Sequence, residues 1–208
     1  LEGIGSRVSS DWLRRWLREP HQIKPGTSMP AVLGDGEQAK ADANDLVAFL
    51  LKVAGEPEHS ESASSLNPAA EQHVEEGDRL YETLSCIACH HFAAPGERDP
   101  YDRLSLHFTD AKFQPGELAR YLLDPTVHHA GTAMPDFSLD QAQAVALAAH
   151  LRERSKGELS GEDGDKQFAE GDAGRGRSLF TTRGCANCHA IGQRSLAKNP
   201  SRPFALHA

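Results

Sequence analysis

All four cysteines of this chain lie in two short motifs that share one pattern. The first motif reads Cys-Ile-Ala-Cys-His and the second reads Cys-Ala-Asn-Cys-His, so a histidine directly follows each pair of cysteines. Two thiols at this spacing can add across the two vinyl groups of one haem, and the adjacent histidine then lies under the iron as an axial ligand. The candidate attachment and ligand residues are Cys86, Cys89, His90, Cys185, Cys188 and His189.

Other chemistry of paired cysteines fits these motifs less well. A zinc ribbon places its two cysteine pairs about 15–20 residues apart, whereas about 95 residues separate Cys89 from Cys185. A thioredoxin-type redox pair belongs beside a β-α-β unit, and the sequence predicts no convincing strands. Disulfide bonds are a further alternative for the cysteines of an exported protein, but they give no reason for a histidine after each pair. The motifs therefore favour two covalent haem c groups.

Both methionines of the chain occur in nearly the same phrase, Gly-Thr-x-Met-Pro, at Met29 and Met134. A lone methionine more often fills a gap in an apolar core, but the repetition favours a ligand role here. A thioether sulfur is a soft, neutral ligand that suits haem iron, and the neighbouring proline and glycine restrict the loop. We therefore predict that both methionines are axial ligands. His128 and His129 precede Met134 by a few residues and are the alternative candidates for the ligand role of Met134.

Taken together, these residues resemble class I c-type cytochromes. In that family an N-terminal helix leads into the C-x-x-C-H motif, a loop carries a Met-Pro ligand, and a C-terminal helix crosses the first helix. The resemblance implies an all-α fold made of cytochrome c-like helical domains repeated in tandem. It also implies covalent haem c at two sites, electron transfer, and a periplasmic or otherwise exported bacterial protein.

Sequence phrases recur along the chain at an interval of about 100 residues. A repeat of this length is a whole small domain, because the units of solenoid proteins have periods of about 20–50 residues. Gly77 before the first haem motif corresponds to Gly176 before the second. In the family such a glycine lies where the first and last helices cross, and its missing side chain lets the two backbones approach. His150 takes the place of Phe49, at a position that is usually aromatic in the family.

The middle copy of the repeat is complete and is predicted to span residues 67–154. It contains a helix over 72–85 that leads into Cys86, a short helix over 115–124 and a last helix over 138–153. Apolar residues recur at helical spacing in the last helix, which predicts that one face of it belongs to the core.

The two terminal copies are incomplete and complementary. Residues 1–54 contain a Met loop and a last helix over 45–53, whereas residues 168–208 contain a first helix and a haem motif without a methionine. Acidic stretches rich in glycine and serine at 55–66 and 155–167 are predicted linkers. One interpretation assigns the terminal copies to neighbouring domains of a longer multihaem protein, and the start at Leu1 instead of a methionine favours it. The other folds them together as a permuted domain, in which Met29 faces the haem on His189.

Composition limits the partners that such a chain can have. Among 208 residues, 38% are hydrophobic and 25% are charged, with a net charge of −8. The acidic balance argues against nucleic acid, and no apolar run approaches the roughly 18–20 residues of a membrane span. We expect other redox proteins as electron donor and acceptor, preferably with a basic face, and flanking domains of a longer chain. Lys24 and Arg183 are interpreted as solvated surface charges rather than partners of haem propionates.

These patterns predict an electron carrier that is not itself an enzyme. A haem with histidine and methionine ligands has no open position for a substrate. The alternative is a multihaem peroxidase-like or ligand-sensing protein in which one haem lacks its distal ligand. The copy over 168–208 is where this would occur, because it has no methionine of its own.

Overall fold

The computed structural model of this chain describes residues 1, 3–53, 71–97, 99–128, 131–155 and 171–191. The predicted linker 55–66, nearly all of the linker 155–167, His129 and residues 192–208 lie outside the described residues. Two compact units are present. The middle unit comprises the described residues between 71 and 155, and the terminal unit combines the described residues of 1–53 with 171–191.

Helices make up most of the described residues, which confirms the expectation of a mainly helical fold. In chain order the helices are α1 (Ile4–Arg7), α2 (Ser10–Arg18), α3 (Pro20–Ile23), α4 (Glu37–Val53), α5 (Glu71–Thr83), α6 (Thr109–Lys112), α7 (Glu117–Leu123), α8 (Pro125–His128), α9 (Gln141–Arg154) and α10 (Ala173–Thr182). Single 3-10 turns cover Cys86–Ala88 and Cys185–Asn187, and two short strands are β1 (His90–His91) and β2 (Leu104–Ser105). Within the described part of the chain, no helix has the length and apolar character that crossing a membrane needs.

Two features differ from the expectations. Helix α4 begins at Glu37, eight residues before the predicted start, because the added segment consists largely of alanine, glutamate, glutamine and lysine, which favour helix. Gly34 and Gly36 have φ of 72° and 87°. This left-handed backbone prevents the helix from beginning any earlier in the chain. The sequence also predicted no strands, yet β1 and β2 pair in parallel. Two residues per strand are too few to show an alternating pattern.

The middle unit is organised by the crossing of α5 and α9. Helix α9 begins with a capping box, in which Asp140 accepts from the Gln143 amide at 2.9 Å and the Gln143 side chain accepts from the Asp140 amide at 3.0 Å. At the crossing, a Cβ on Gly77 would lie against the Ala146 carbonyl and 2.7 Å from the His150 Cβ. Only glycine therefore lets the two helices approach this closely. The apolar stripe predicted for α9 is buried in the core through Ala144, Leu147, Ala148 and Leu151.

The terminal unit is organised by an equivalent crossing of α4 and α10. A Cβ on Gly176 would lie against the Asp45 carbonyl and 2.8 Å from the Phe49 Cβ. The rings of Phe49 and Phe180 are in contact, with centroids 5.7 Å apart, and both side chains are buried. Helix α2 packs on the same α4 helix. The structure thus brings residues 1–53 and 171–191 together around one core.

The two crossings also support the alignment of His150 with Phe49. Each residue has its Cβ against the corresponding glycine, Gly77 or Gly176. The predicted equivalence of these positions is confirmed. The His150 ring contacts the Tyr81 ring in a tilted arrangement, with centroids 5.2 Å apart, so the imidazole fills the space of an aromatic ring.

Candidate functional site

The first cysteine motif follows α5 through a sharp change of backbone direction. Ser85 has φ 58°, and the chain then forms the 3-10 turn that begins at Cys86. The Cys89 amide donates to the Cys86 carbonyl at 3.1 Å, so the two thiol-bearing residues are one turn apart. Cys86 is half-buried and Cys89 is exposed. Burial raises the pKa of the Cys86 thiol, which keeps it protonated at neutral pH.

His90 is held by the short parallel ladder directly after this turn. The Leu104 amide donates to the Cys89 carbonyl at 2.9 Å, and the Leu106 amide donates to the His91 carbonyl at 2.7 Å. Burial lowers the pKa of His90, so the imidazole is neutral at pH 7 and has a nitrogen lone pair available for a metal. Its Nδ1 atom is buried without a hydrogen-bond partner among the described residues.

Arg103 ties the loop before β2 to the first cysteine motif. Its Nη2 atom donates to Asp99 Oδ1 at 2.7 Å, and its Nη1 atom donates to the Ile87 carbonyl at 3.1 Å. The hydrogen bond from Arg103 holds the pKa of Asp99 at about 2. Asp99 is therefore ionised throughout the physiological pH range, and the link to Arg103 is present there.

The second cysteine motif has the same local geometry as the first. Gly184 has φ 81° at the position of Ser85, and the Cys188 amide donates to the Cys185 carbonyl at 3.2 Å. The His189 amide donates to the same carbonyl at 2.9 Å. Burial raises the pKa of Cys185 and lowers the pKa of His189, as in the first motif.

The two methionine loops are also alike. The Met134 amide donates to the Thr132 Oγ1 atom at 3.2 Å, and the Met29 amide donates to the Thr27 Oγ1 atom at 3.3 Å. The threonine of each Gly-Thr-x-Met-Pro phrase thus fixes the backbone of its methionine. Both methionines are half-buried, and Met134 packs against the core of the middle unit.

Each unit contains one complete set of the residues that the sequence singled out. Met134 lies in the same unit as His90, and Met29 lies in the same unit as His189. All four cysteines are free, so the described residues contain none of the disulfides that the sequence had left open. Among the same described residues, no group of three or more cysteine, histidine or carboxylate residues could hold a metal ion. His128 ends helix α8.

These residues fit haem c. A covalent attachment needs two unpaired thiols one turn apart, and an axial bond needs a neutral imidazole. Each motif has the two free thiols and the neutral imidazole that haem c requires. The His90 Nδ1 atom is buried and has no hydrogen-bond partner among the described residues, as expected for a side chain whose site includes a further group.

The middle unit is thus all-α, with α5 directly before the C-x-x-C-H motif and α9 after the Met-Pro loop. Residues 74–155 match the family model described as Cytochrome c. This match supports a c-type cytochrome and haem-based electron transfer in general, and the matched residues coincide with the middle unit. Comparisons with curated proteins and with solved structures give no match.

Sequence reasoning missed the polar contacts that hold these sites in place. Arg183 was interpreted as a solvated charge, but its Nη2 atom donates to the buried Asp42 at 2.8 Å, and the interpretation was wrong. The pairing was not visible because 141 residues separate the two side chains. Arg103 was not singled out either, since a single arginine in a loop gives no pattern.

The buried His150 predicts that the middle unit loses stability in mild acid. Burial lowers the pKa of His150 from its usual value of 6.5, although Asp78 on α5 acts in the opposite direction. As pH falls below about 6.5, the unfolded chain takes up a proton before the folded unit does, and the free energy of unfolding decreases. Above that pH the imidazole is neutral in both states and this loss is absent.

We expect the variant His150→Phe to remove this pH dependence and to stabilise the middle unit by about 1 kcal/mol at pH 7, because it replaces a buried Nε2 atom that has no hydrogen-bond partner among the described residues. Thermal unfolding between pH 5 and 7.5 measures both effects. Phe49→His is the matched variant in the terminal unit and should introduce a similar acid sensitivity there. An unchanged pH slope in His150→Phe would show that another group causes the effect.

Proposed function

We propose that this chain transfers electrons through two covalently bound haem c groups with histidine and methionine axial ligands. His90 and Met134 would bind the iron of the haem on Cys86 and Cys89. His189 and Met29 would bind the iron of the haem on Cys185 and Cys188. The observation that carries the proposal is that each unit combines one C-x-x-C-H turn with one Met-Pro loop. When bound, the haem iron supplies a one-electron change between its ferrous and ferric states.

The protein would provide attachment, fixed ligands and shielding from water. The two thiols of each motif would be the attachment points, since each 3-10 turn holds its cysteines one turn apart, and the buried, neutral imidazoles would be able to bind iron. The threonine hydrogen bonds hold the backbone of the methionine loops, so Met134 and Met29 would be offered to a haem iron from restrained loops. A thioether and an imidazole as the axial pair raise the reduction potential compared with more strongly donating ligands.

Removal of one cysteine pair at a time tests this proposal. We expect the full chain, produced with a haem-attachment system, to carry two covalent haems by intact mass and by absorbance after denaturation. C86A/C89A should carry one, on the second motif, and C185A/C188A should carry one, on the first. A full chain with a single haem, or a variant that keeps both, would contradict the assignment of the two sites.

The alternative of an open, peroxidase-like haem is less well supported. The terminal unit contains its own Met-Pro loop at Met29, so residues 171–191 do not need a methionine of their own. Carbon monoxide distinguishes the two functions, since it binds rapidly to ferrous haem only where the distal position is open. We expect slow or no binding at both haems, and rapid binding at one haem would favour the alternative.

We further propose that the partners are redox proteins which dock transiently, as is typical of electron-transfer encounters. The net charge of −8 favours a donor or acceptor with a basic face. Members of the Cytochrome c family are in general exported, and we propose a periplasmic or similar exported location in a bacterium for this protein. It would act as a haem segment of a larger exported redox protein.

A further inference from the structure

The contact between α4 and α10 contains two buried aspartates beside two arginines, and the described residues of the contact between α9 and α5 contain no such group. The Asp42 and Asp45 side chains of α4 are only 4% and 6% exposed. Arg183 Nη2 donates to Asp42 Oδ2 at 2.8 Å, and Arg175 Nη2 lies 3.0 Å from Asp45 Oδ2. We call these four residues the charged seam.

A backbone contact adds to the charged seam. Asp45 Oδ1 accepts from the Asp172 amide at 2.7 Å, directly before α10 begins. The Asp172 side chain in turn caps α10 by accepting from the Gly174 amide at 2.7 Å. Asp45 therefore fixes the position at which the C-terminal segment enters the terminal unit.

The middle unit has different residues at the equivalent places. The glycine crossings align Asp42 and Asp45 with Gln143 and Ala146 of α9. The cysteine motifs align Arg175 and Arg183 with Glu76 and Leu84 in and after α5. None of these four replacements can form the ion pairs of the charged seam.

We propose that the charged seam makes α4 selective for the C-terminal segment 171–191 and prevents it from pairing with the equivalent segment 71–89 of the middle unit. If α4 packed on α5, the carboxylates would face Glu76 and Leu84, and two buried negative charges would have no arginine beside them. A buried charge that loses its partner is strongly destabilising. Selectivity of this kind combines attraction to the correct partner with repulsion of the wrong one.

Selective pairing matters because the chain contains two copies of each half. Without it, the helix that follows Met29 could pair with the segment that carries His90, and the two Met loops could exchange haem motifs. The inference concerns which segments pair, and it holds whether or not Met29 binds iron.

Exchange of seam residues for those of the middle unit tests the proposal in the full, haem-loaded chain. The readout is hydrogen exchange of the α4 amides, followed by mass spectrometry. We expect R175E/R183L to reduce the protection of α4 by about tenfold or more, because Asp42 and Asp45 then stay buried without the arginines that neutralise them. Addition of D42Q/D45A to these changes should restore most of the protection, since the contact then has the residues of the middle unit.

The variant D42Q/D45A, which removes only the aspartates, should reduce the protection of α4 less than R175E/R183L does. It leaves behind Arg175 and Arg183, whose side chains are 57% and 39% exposed and can be solvated by water. Arg177→Glu is the matched control, because it reverses an exposed charge on the same helix outside the seam, and we expect unchanged protection.

Three results would overturn the proposal. They are unchanged protection of α4 in R175E/R183L, no recovery when D42Q/D45A is added, and an equal loss in the control Arg177→Glu. All these variants keep Met29 unchanged, so a failure of Met29 to bind iron acts on every variant alike and leaves the expected order of protection intact. The two proposals can therefore fail separately.

Discussion

Replacement of Gly176 by alanine is expected to destabilise the terminal unit by about 3 kcal/mol, the upper range for the overpacking of a close contact. The added Cβ would lie against the Asp45 backbone and 2.8 Å from the Phe49 Cβ, and neither can move without shifting the whole of α4. Alanine favours helix over glycine by about 1 kcal/mol, so a net loss must come from the contact between helices.

Hydrogen exchange resolved by segment is the appropriate measurement, because it reports on each unit separately. Gly176→Ala should expose the amides of α4 and leave those of α9 protected, and Gly77→Ala should do the reverse. Gly174→Ala is the control on the same helix, where a Cβ would meet only the Asp172 Oδ1 atom at 3.1 Å. Full protection of α4 in Gly176→Ala would mean that the terminal segments do not pair in this way.

Replacement of either methionine by leucine is expected to lower the reduction potential of one haem and leave the other unchanged. Leucine nearly conserves the volume of methionine but has no sulfur to bind iron. Axial ligands set haem potentials over a range of roughly 0.8 V, and we expect a fall on the order of 0.1 V. Met134→Leu should act on the haem of His90, and Met29→Leu on that of His189.

The single-haem variants make this assignment unambiguous. In C86A/C89A the remaining haem should respond to Met29→Leu and be insensitive to Met134→Leu, and in C185A/C188A the responses should be exchanged. Optical spectra in the region of the methionine–iron charge-transfer band provide a second readout. A haem on His90 that is unchanged by Met134→Leu would point to His128 or His129 as its ligand.

The parts of the site that depend on local sequence could be predicted. The cysteine motifs and the Gly-Thr-x-Met-Pro phrases are short, and their chemistry dictates the spacing of a few neighbouring residues. The positions of α5, α7 and α9 could also be predicted, because helical periodicity and proline or glycine boundaries are local signals. The equivalence of His150 and Phe49 followed from alignment of the repeat.

The parts that depend on distant contacts could not be predicted. Asp42 and Asp45 look like ordinary solvent-facing charges in a helix, and only the approach of α10 shows that they are buried. The parallel pairing of β1 with β2 and the link from Arg103 to Ile87 likewise depend on the path of the loop between them. A sequence pattern states which residues alternate, but it does not state which surfaces meet.

The arrangement of the terminal unit has a consequence for the order of synthesis. Asp45 precedes Asp172 by 127 residues, which corresponds to roughly 6–25 s of translation at 5–20 residues per second. During this interval α4 exists without α10, and Phe49 has no aromatic partner, whereas all parts of the middle unit are made consecutively. The middle unit can therefore be fully synthesised before residues 171–191, with which residues 1–53 pair, have been made. Pairing of α4 with α10 would be the late, slow step of folding, as expected for contacts of high sequence separation.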